Sequence, residues 1–332
     1  VNEFAVISGK AVVQLLEGQE SRIVEQVKQA YLLHGAGHSI CPDSYFLRFP
    51  DKPDSRIIAL PGYLGGEVDA AGVKWISSFP GNIDSGRPRA SAVLILNDYR
   101  TGYPFALLEA AGISAARTAA SAALATQVLG GGAARSVGFV GGGVIARTIA
   151  RYLADSGVSM KDVLCHDLDQ VSAKALSDHL ARSQGAEARV GNLDEALACD
   201  LVVLATTAAT PYIGPEREFR PGQLILNVSL RDLAPEVLLA ANNVLDDVEH
   251  CLKADTSPHL AEKLTGGRGF VNGTLAEVIN HEARLDPARP TVFSPFGLGV
   301  LDLAVGQHVY LRAVEQGLAT EIPDFFGETR RW

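Results

Sequence analysis

Cysteine is scarce and cationic side chains are outnumbered in this chain, and each shortage removes a class of function. The four cysteines, Cys41, Cys165, Cys199 and Cys251, form no C-x-x-C pair, so their spacing offers neither a zinc knuckle nor a dithiol redox motif. Reduced, packed thiols are expected. The eight histidines contain no H-E-x-x-H arrangement, and although His166 abuts Asp167 and His250 follows Asp246, Asp247 and Glu249, no metal site is expected. With 29 Lys and Arg against 38 Asp and Glu the formal charge is -9, which argues against a nucleic-acid binder, since such a protein needs a cationic field to displace counterions from phosphates. No apolar run reaches the length of about 18 residues that spans a bilayer. The stretch Val1-Asn2-Glu3-Phe4 lacks the basic and apolar regions of a signal peptide, so a cytoplasmic protein with no membrane partner is expected.

What is present is a folded chain of 332 residues, 47% hydrophobic, without visible repeats or low-complexity tracts, and long enough for two domains. Ile23, Val24, Val27, Ala30 and Tyr31 recur at three- and four-residue spacing and predict an amphipathic helix over Ser21–His34, stopped by Gly35 and Gly37. Short β-rich runs follow at 45–49, 56–60, 71–77, 92–97 and 105–109, broken by Gly, Pro and Asp, which suggests a largely antiparallel sheet or open barrel. The last two runs, joined through Asp98-Tyr-Arg-Thr-Gly102, form a hairpin whose glycine supplies a positive φ. An alanine-rich helix is predicted from Ser114 to Leu129, with Arg117 in its first turn.

From Ser136 the texture becomes alternating strand and helix. Strand-like runs at 136–140, 162–166, 186–190, 201–206, 223–228 and 243–247 predict a parallel, doubly wound sheet. A long helical pattern over Gly297–Gln316 is expected to return to the first domain. The fold class is therefore α/β, a Rossmann doubly wound parallel sheet (114–305) plus a discontinuous α+β substrate-binding and dimerisation domain (1–113 and 306–332).

The first strand of the parallel sheet runs directly into Gly141-Gly-Gly-Val-Ile-Ala146, a G-x-G-x-x-A turn opening a helix. Gly141 permits the tight turn, Gly143 lets backbone approach a pyrophosphate, Ala146 allows close helix packing, and the helix N-terminus stabilises the anion. Val144 and Ile145 begin that helix. Asp167 ends the second strand where an acidic residue bonds the adenosine ribose, and no cation follows it closely, so NAD is favoured over NADP. Thr206-Thr207 and Ser229 to Asp232 fall at the carboxyl edge of the sheet, on the expected nicotinamide side.

Arg48, Lys74 and Arg117 are cations in or beside apolar segments, which suits either snorkelling surface chains or the floor of an anion site. A cation in a first helical turn opposes the helix dipole unless an anion joins it, which singles out Arg117. Arg87 and Arg89 lie in a loop and read as solvated surface. Asp232 at a sheet edge suits proton exchange, but Asp232-Leu-Ala-Pro-Glu236 equally suits a helix N-cap.

Gly72-Val-Lys-Trp-Ile-Ser-Ser-Phe-Pro-Gly-Asn82, Asp98-Tyr-Arg-Thr-Gly-Tyr-Pro104, Ser114-Ala-Ala-Arg-Thr-Ala-Ala120 and the glycine turn together resemble the ornithine cyclodeaminase and mu-crystallin family over nearly the whole chain. The wording of 74–82, Pro88-Arg-Ala-Ser-Ala92 and Asp246-Asp-Val-Glu-His250 is similar to its N-(2-amino-2-carboxyethyl)-L-glutamate dehydrogenase branch. That likeness implies NAD-dependent oxidation of a glutamyl Cα–N bond and hydrolysis of the imine to L-2,3-diaminopropionate and 2-oxoglutarate, for siderophores or peptide antibiotics. It implies a homodimer and a pathway link to a pyridoxal-phosphate-dependent synthase. Carried across, it makes Lys74 and Arg117 carboxylate ligands, Asp232 the catalytic aspartate, with Lys74 sharing the proton work, Arg48 and Arg89 further substrate contacts, and Thr118 a cofactor contact. A true cyclodeaminase, an imine reductase or amino-acid dehydrogenase, and a non-catalytic binding protein are the alternatives.

Overall fold

A computed structural model describes residues 4–327. Val1, Asn2 and Glu3 of the signal-peptide reading, and 328–332 of the expected first domain, lie outside the described residues. The chain divides into two compact units: one runs to Arg117 and resumes at Leu298, and the other is Thr118–Gly297. The boundaries expected from sequence were 113/114 and 305/306. The first break instead falls inside a continuous helix, Ala111–Val128, and the second just before the helix Gly299–Glu315.

The first unit opens with β1 (Phe4–Ile7), then β2 (Ser39–Ile40), β3 (Tyr45–Phe49), β4 (Lys52–Leu64), β5 (Ala70–Ser78), β6 (Ala90–Asp98) and β7 (Pro104–Glu109). β3 to β7 are the five β-rich runs of the sequence, lengthened where flanking polar residues continue the ladder. β1 pairs with β7 in parallel, so the sheet is mixed, and the strand order runs open-ended from β1 through β7, β6, β5 and β4 to β2 rather than closing as a barrel. Alternation along β5 gives its two faces different fates: Ala70, Lys74 and Ser78 are buried, whereas Trp75 is 41% exposed. The helix Gly299–Glu315 packs across β4, β5 and β6 on the buried face. Gly306 permits that approach, because a Cβ there would lie 2.1 Å from Leu94 Cδ2.

In the second unit β8 (Val137–Val140), β9 (Val163–His166), β10 (Ala188–Val190), β11 (Leu201–Leu204), β12 (Leu224–Asn227), β13 (Asn242–Leu245), β14 (Val271–Thr274) and β15 (Thr291–Ser294) form one parallel sheet. The order is β10-β9-β8-β11-β12-β15-β13-β14. β8, β11, β12 and β13 are buried along their whole length; β8, β11 and most of β12 accordingly read as apolar runs, whereas β13 opens with Asn242 and Asn243. β14 and β15 had no counterpart in the sequence reading: Val-Asn-Gly-Thr and Thr-Val-Phe-Ser are short and half polar. β15 inserts between β12 and β13, so the sixth expected strand is not the neighbour of the fifth. Chain order reverses at β8, and this switch point sets where ligands of such sheets bind. A final strand, β16 (Thr320–Ile322), returns the chain to the first unit and pairs antiparallel with β1.

Candidate functional site

In the first unit, Lys74 is 1% exposed and lies opposite Leu60 of β4 and Leu94 of β6. An ammonium cannot be buried against leucines without a partner. The partner is Asp302, 0% exposed, in the first turn of the helix Gly299–Glu315, whose Oδ2 accepts from Lys74 Nζ at 2.6 Å. Arg117 Nε donates to Asp302 Oδ1 at 3.3 Å. Ser114 Oγ joins both cations, 3.3 Å from Lys74 Nζ and 3.5 Å from Arg117 Nη2. Burial and the neighbouring Arg117 pull the Lys74 ammonium down to about 8, against the opposing pull of Asp302.

Two expectations are corrected here. Arg117 is not in a first helical turn: Glu109 accepts from the backbone N–H groups of Ala111 and Gly112, which starts that helix at Ala111, before Ser114. The dipole argument for Arg117 therefore lapses, and the anion that joins Arg117 is Asp302. Arg89 is also not plain solvated surface; it is partly buried, and its Nη1 donates to Ser78 Oγ at 2.8 Å. Asp302 was missed because it sits 228 residues from Lys74 inside an apolar helical pattern, where one acid reads as an ordinary first-turn residue.

Register ties Arg48 to the same sheet face. Arg48 pairs with Arg56, and Arg56 with Ser78, which lies on the Lys74 face of β5. Cross-strand partners point the same way, so Arg48, Arg56 and the Arg89–Ser78 pair share a row, about 13 Å along the strand from Lys74. Arg48 is exposed and spreads over the Phe46 ring. No contact joins it to Lys74, and Arg56 was not foreseen.

The second unit gathers its candidates at the carboxyl ends of four adjacent strands, β9, β8, β11 and β12, a span of about 15 Å. Gly141, after β8, has φ 99°, and a Cβ there would lie 2.4 Å from the Ala205 carbonyl oxygen, so only glycine makes the turn. Gly143 is the N-cap of the helix Val144–Asp155 without a side-chain cap, and a Cβ on it would meet nothing within 4 Å. Its first-turn N–H groups thus face space that an anion can fill. Asp167 Oδ2 accepts from Gly142 N at 2.6 Å and its Oδ1 from Asp169 N at 2.9 Å, fixing the carboxylate beside the glycine turn. Leu168 beside it is 96% exposed and Val144 is also exposed, an apolar rim that suits a purine. Ile145 follows Val144 in that helix, and Thr118 begins this unit one residue after Arg117.

Asp232 is 0% exposed and accepts hydrogen bonds from the hydroxyls of Thr206 and Ser229. Leu230, between Ser229 and Asp232 in sequence, is held at φ 73°, and Arg231 N bonds back to the Ser229 carbonyl at 3.0 Å. This strained turn folds Ser229 onto the carboxylate. Tyr212 was not foreseen: its hydroxyl also bonds Asp232, and burial together with that carboxylate raises its pKa. The N-cap reading of Asp232 is overturned, since the following helix, Pro235–Leu239, is capped at Ala234. Asp232 is an acceptor for hydroxyls, in a cluster whose exposed member is Tyr212.

Comparison with known proteins adds an independent finding. The sequence profile of the ornithine cyclodeaminase/mu-crystallin family matches residues 12–317. The alanine dehydrogenase of Archaeoglobus fulgidus is 29% identical over 97% of this chain and 99% of its own length. The N-((2S)-2-amino-2-carboxyethyl)-L-glutamate dehydrogenase of Staphylococcus aureus is 26% identical over 92% and 94%. An archaeal alanine dehydrogenase dimer with bound NAD superimposes with a TM-score of 0.87 at 28% identity, covering 98% of this chain and 100% of the other.

Proposed function

The chain belongs to the ornithine cyclodeaminase/mu-crystallin family, and from that membership and the two clusters we propose an NAD-dependent enzyme that oxidises a CH–NH bond of an amino-acid-derived substrate. Its preferred substrate is N-(2-amino-2-carboxyethyl)-L-glutamate. One observation carries that choice over a simple amino acid: beyond Lys74 and Arg117, the same sheet face holds Arg48, Arg56 and Arg89. A monocarboxylate held at Lys74 and Arg117 does not reach that second row, whereas a tricarboxylate of extended length places a carboxylate at each end.

The second unit is the NAD domain. Gly141, Gly143, Val144 and Ile145 receive the pyrophosphate, Asp167 the adenosine ribose, and Thr118, Thr206 and Ser229 complete the contacts. When bound, NAD supplies the hydride acceptor. Lys74 and Arg117 hold the carboxylate next to the carbon that loses hydride, fixing its orientation. The Asp232 cluster takes up the amine proton. Because Asp232 has no exposed surface, the proton reaches it through a sealing hydroxyl, for which Tyr212 is the exposed member. Returning that proton to the imine nitrogen frees the carboxylate to take one from the water that adds to the imine carbon, and passing it to the departing amine nitrogen releases L-2,3-diaminopropionate and 2-oxoglutarate.

The first unit also serves assembly. On the face opposite Lys74, Trp75 stands in a row with Ala59 and Val93, and Val73 with Ile95 and Leu107, all at least partly exposed. A second copy of the chain covers this apolar face in a homodimer. Trp75→Glu is expected to yield monomers by light scattering.

The direct test is to incubate the protein with NAD and the synthetic substrate, follow NADH absorbance and identify products by mass spectrometry. Stoichiometric NADH, L-2,3-diaminopropionate and 2-oxoglutarate support the reading. Turnover of L-alanine instead would make it an amino-acid dehydrogenase, and conversion of ornithine to proline without net NADH would make it a cyclodeaminase.

A further inference from the structure

The buried ions of the first unit carry an arrangement beyond recognition of a carboxylate. Lys74 bonds both Asp302 and Ser114, and Arg117 bonds the same two residues. The four side chains close a ring in which two cations share one carboxylate and one hydroxyl. An ammonium has three donors, so two are committed in this ring and one remains; the Arg117 guanidinium, 12% exposed, keeps further N–H groups after its two bonds. Two positive charges against one negative leave the ring one anion short of neutrality.

We propose that Asp302 and Ser114 are positioning residues that hold Lys74 and Arg117 side by side as a preformed fork for one substrate carboxylate, with Asp302 keeping Lys74 protonated at neutral pH. The inference deepens the proposed function and rests on it for the identity of the carboxylate. Lys74 sits between Leu60 and Leu94 on the strands, and among the described residues the charges that act on it are Asp302 on one helix and Arg117 on the other. Without Asp302, burial and Arg117 both push Lys74 toward the neutral amine. A neutral Lys74 pairs poorly with a carboxylate, so affinity depends on an acid that never touches the substrate.

The test measures calorimetric binding of glutarate, a plain dicarboxylate probe, from pH 6 to 9 in wild type, Asp302→Asn and Ser114→Ala. The wild type is expected to bind with an affinity that falls above pH about 8. Asp302→Asn should bind at least tenfold more weakly at pH 7, with the alkaline fall moved to lower pH. Ser114→Ala, which keeps every charge, should weaken binding several-fold without moving the pH midpoint, and Asp302→Glu should recover part of the affinity. Should Asp302→Asn fail to fold, Ser114→Ala decides: unchanged affinity overturns the shared-template arrangement. An Asp302→Asn midpoint equal to wild type, or a wild type that binds no carboxylate, also overturns it. Because the probe needs no NAD and no turnover, absence of NADH formation on amino-acid derivatives would sink the functional reading while leaving this measurement to stand or fall by itself.

Discussion

The two clusters are built by opposite strategies. In the second unit, four strands of one parallel sheet deliver Asp167, the glycine turn, Thr206 and Ser229 to the same edge, because parallel strands all end on one side. Each residue follows directly on a buried apolar run. In the first unit, Lys74 points from the middle of a strand into a sheet–helix interface, and its counter-ion arrives from 228 residues away. The contrast teaches where recognition can be local and where it must be long-range: hydrogen-bond donors at loop ends need no counter-charge, whereas a buried cation needs a partner that the neighbouring sequence does not name.

The largest effect that tests this contrast is Lys74→Met. The substitution leaves Asp302 buried against Arg117 alone, so it should cost about 3–5 kcal/mol of stability, as breaking buried pairs does. It should also lower kcat/KM by roughly 10³-fold through lost carboxylate alignment. NAD affinity, measured by fluorescence titration, should stay the same. Equal loss of NAD binding would show that the two clusters are not separate in role.

Next in size is Asp232→Asn. The amide still fits among the hydroxyls of Thr206, Ser229 and Tyr212 but cannot take up a proton. Turnover is expected to fall about 10²–10⁴-fold with little change in KM. Normal turnover by a folded Asp232→Asn protein ends the assignment of Asp232.

A smaller pair of changes separates fold from function within the glycine-rich segment. Gly138 lies inside β8, where a Cβ would stand 2.0 Å from the Ala196 carbonyl oxygen; Gly143 has open space around it. Gly138→Ala should therefore cost about 1–3 kcal/mol by overpacking. Gly143→Ala should leave the melting temperature unchanged and weaken NAD by about tenfold, since the methyl occupies room meant for the pyrophosphate. A stability loss at Gly143 would remove the argument that this space is reserved for a ligand.

Legibility followed the same division. The glycine turn, Asp167 and the central strands were readable because burial on both faces writes itself as an apolar segment, as in β8, β11 and β12 up to Asn227. β14 and β15 escaped because Asn272, Gly273, Thr291 and Ser294 dilute runs of four residues. Lys74 was visible as an anomaly in an apolar strand, but Asp302 was not, and the start of the helix carrying Arg117 was misjudged because Glu109 caps it from the preceding strand. Tyr212 escaped for a different reason: it lies in an irregular segment between β11 and β12, where no periodicity marks it. Arg56 became meaningful only through register with Arg48 and Ser78.

The subtlest prediction uses pH to set the two kinds of cost against each other. Burial and Arg117 bring Lys74 from its ordinary 10.5 to about 8, with Asp302 opposing them. In the unfolded chain Lys74 holds its proton up to about 10.5, so between about 8 and 10.5 the unfolded state binds the proton and the folded state does not. The Lys74 contribution to stability therefore rises with pH through that window. Carboxylate recognition runs the other way, because it needs the ammonium: the substrate KM should climb above pH about 8, by roughly tenfold at pH 9. Lys74→Met should lack both trends, while Asp232→Asn should keep them. Chemical denaturation and steady-state kinetics over pH 7 to 10 read the two slopes. Parallel slopes, in which affinity and the Lys74-dependent stability rise together, would mean that the neutral amine recognises the substrate, and Lys74 would then belong to proton transfer and not to carboxylate binding.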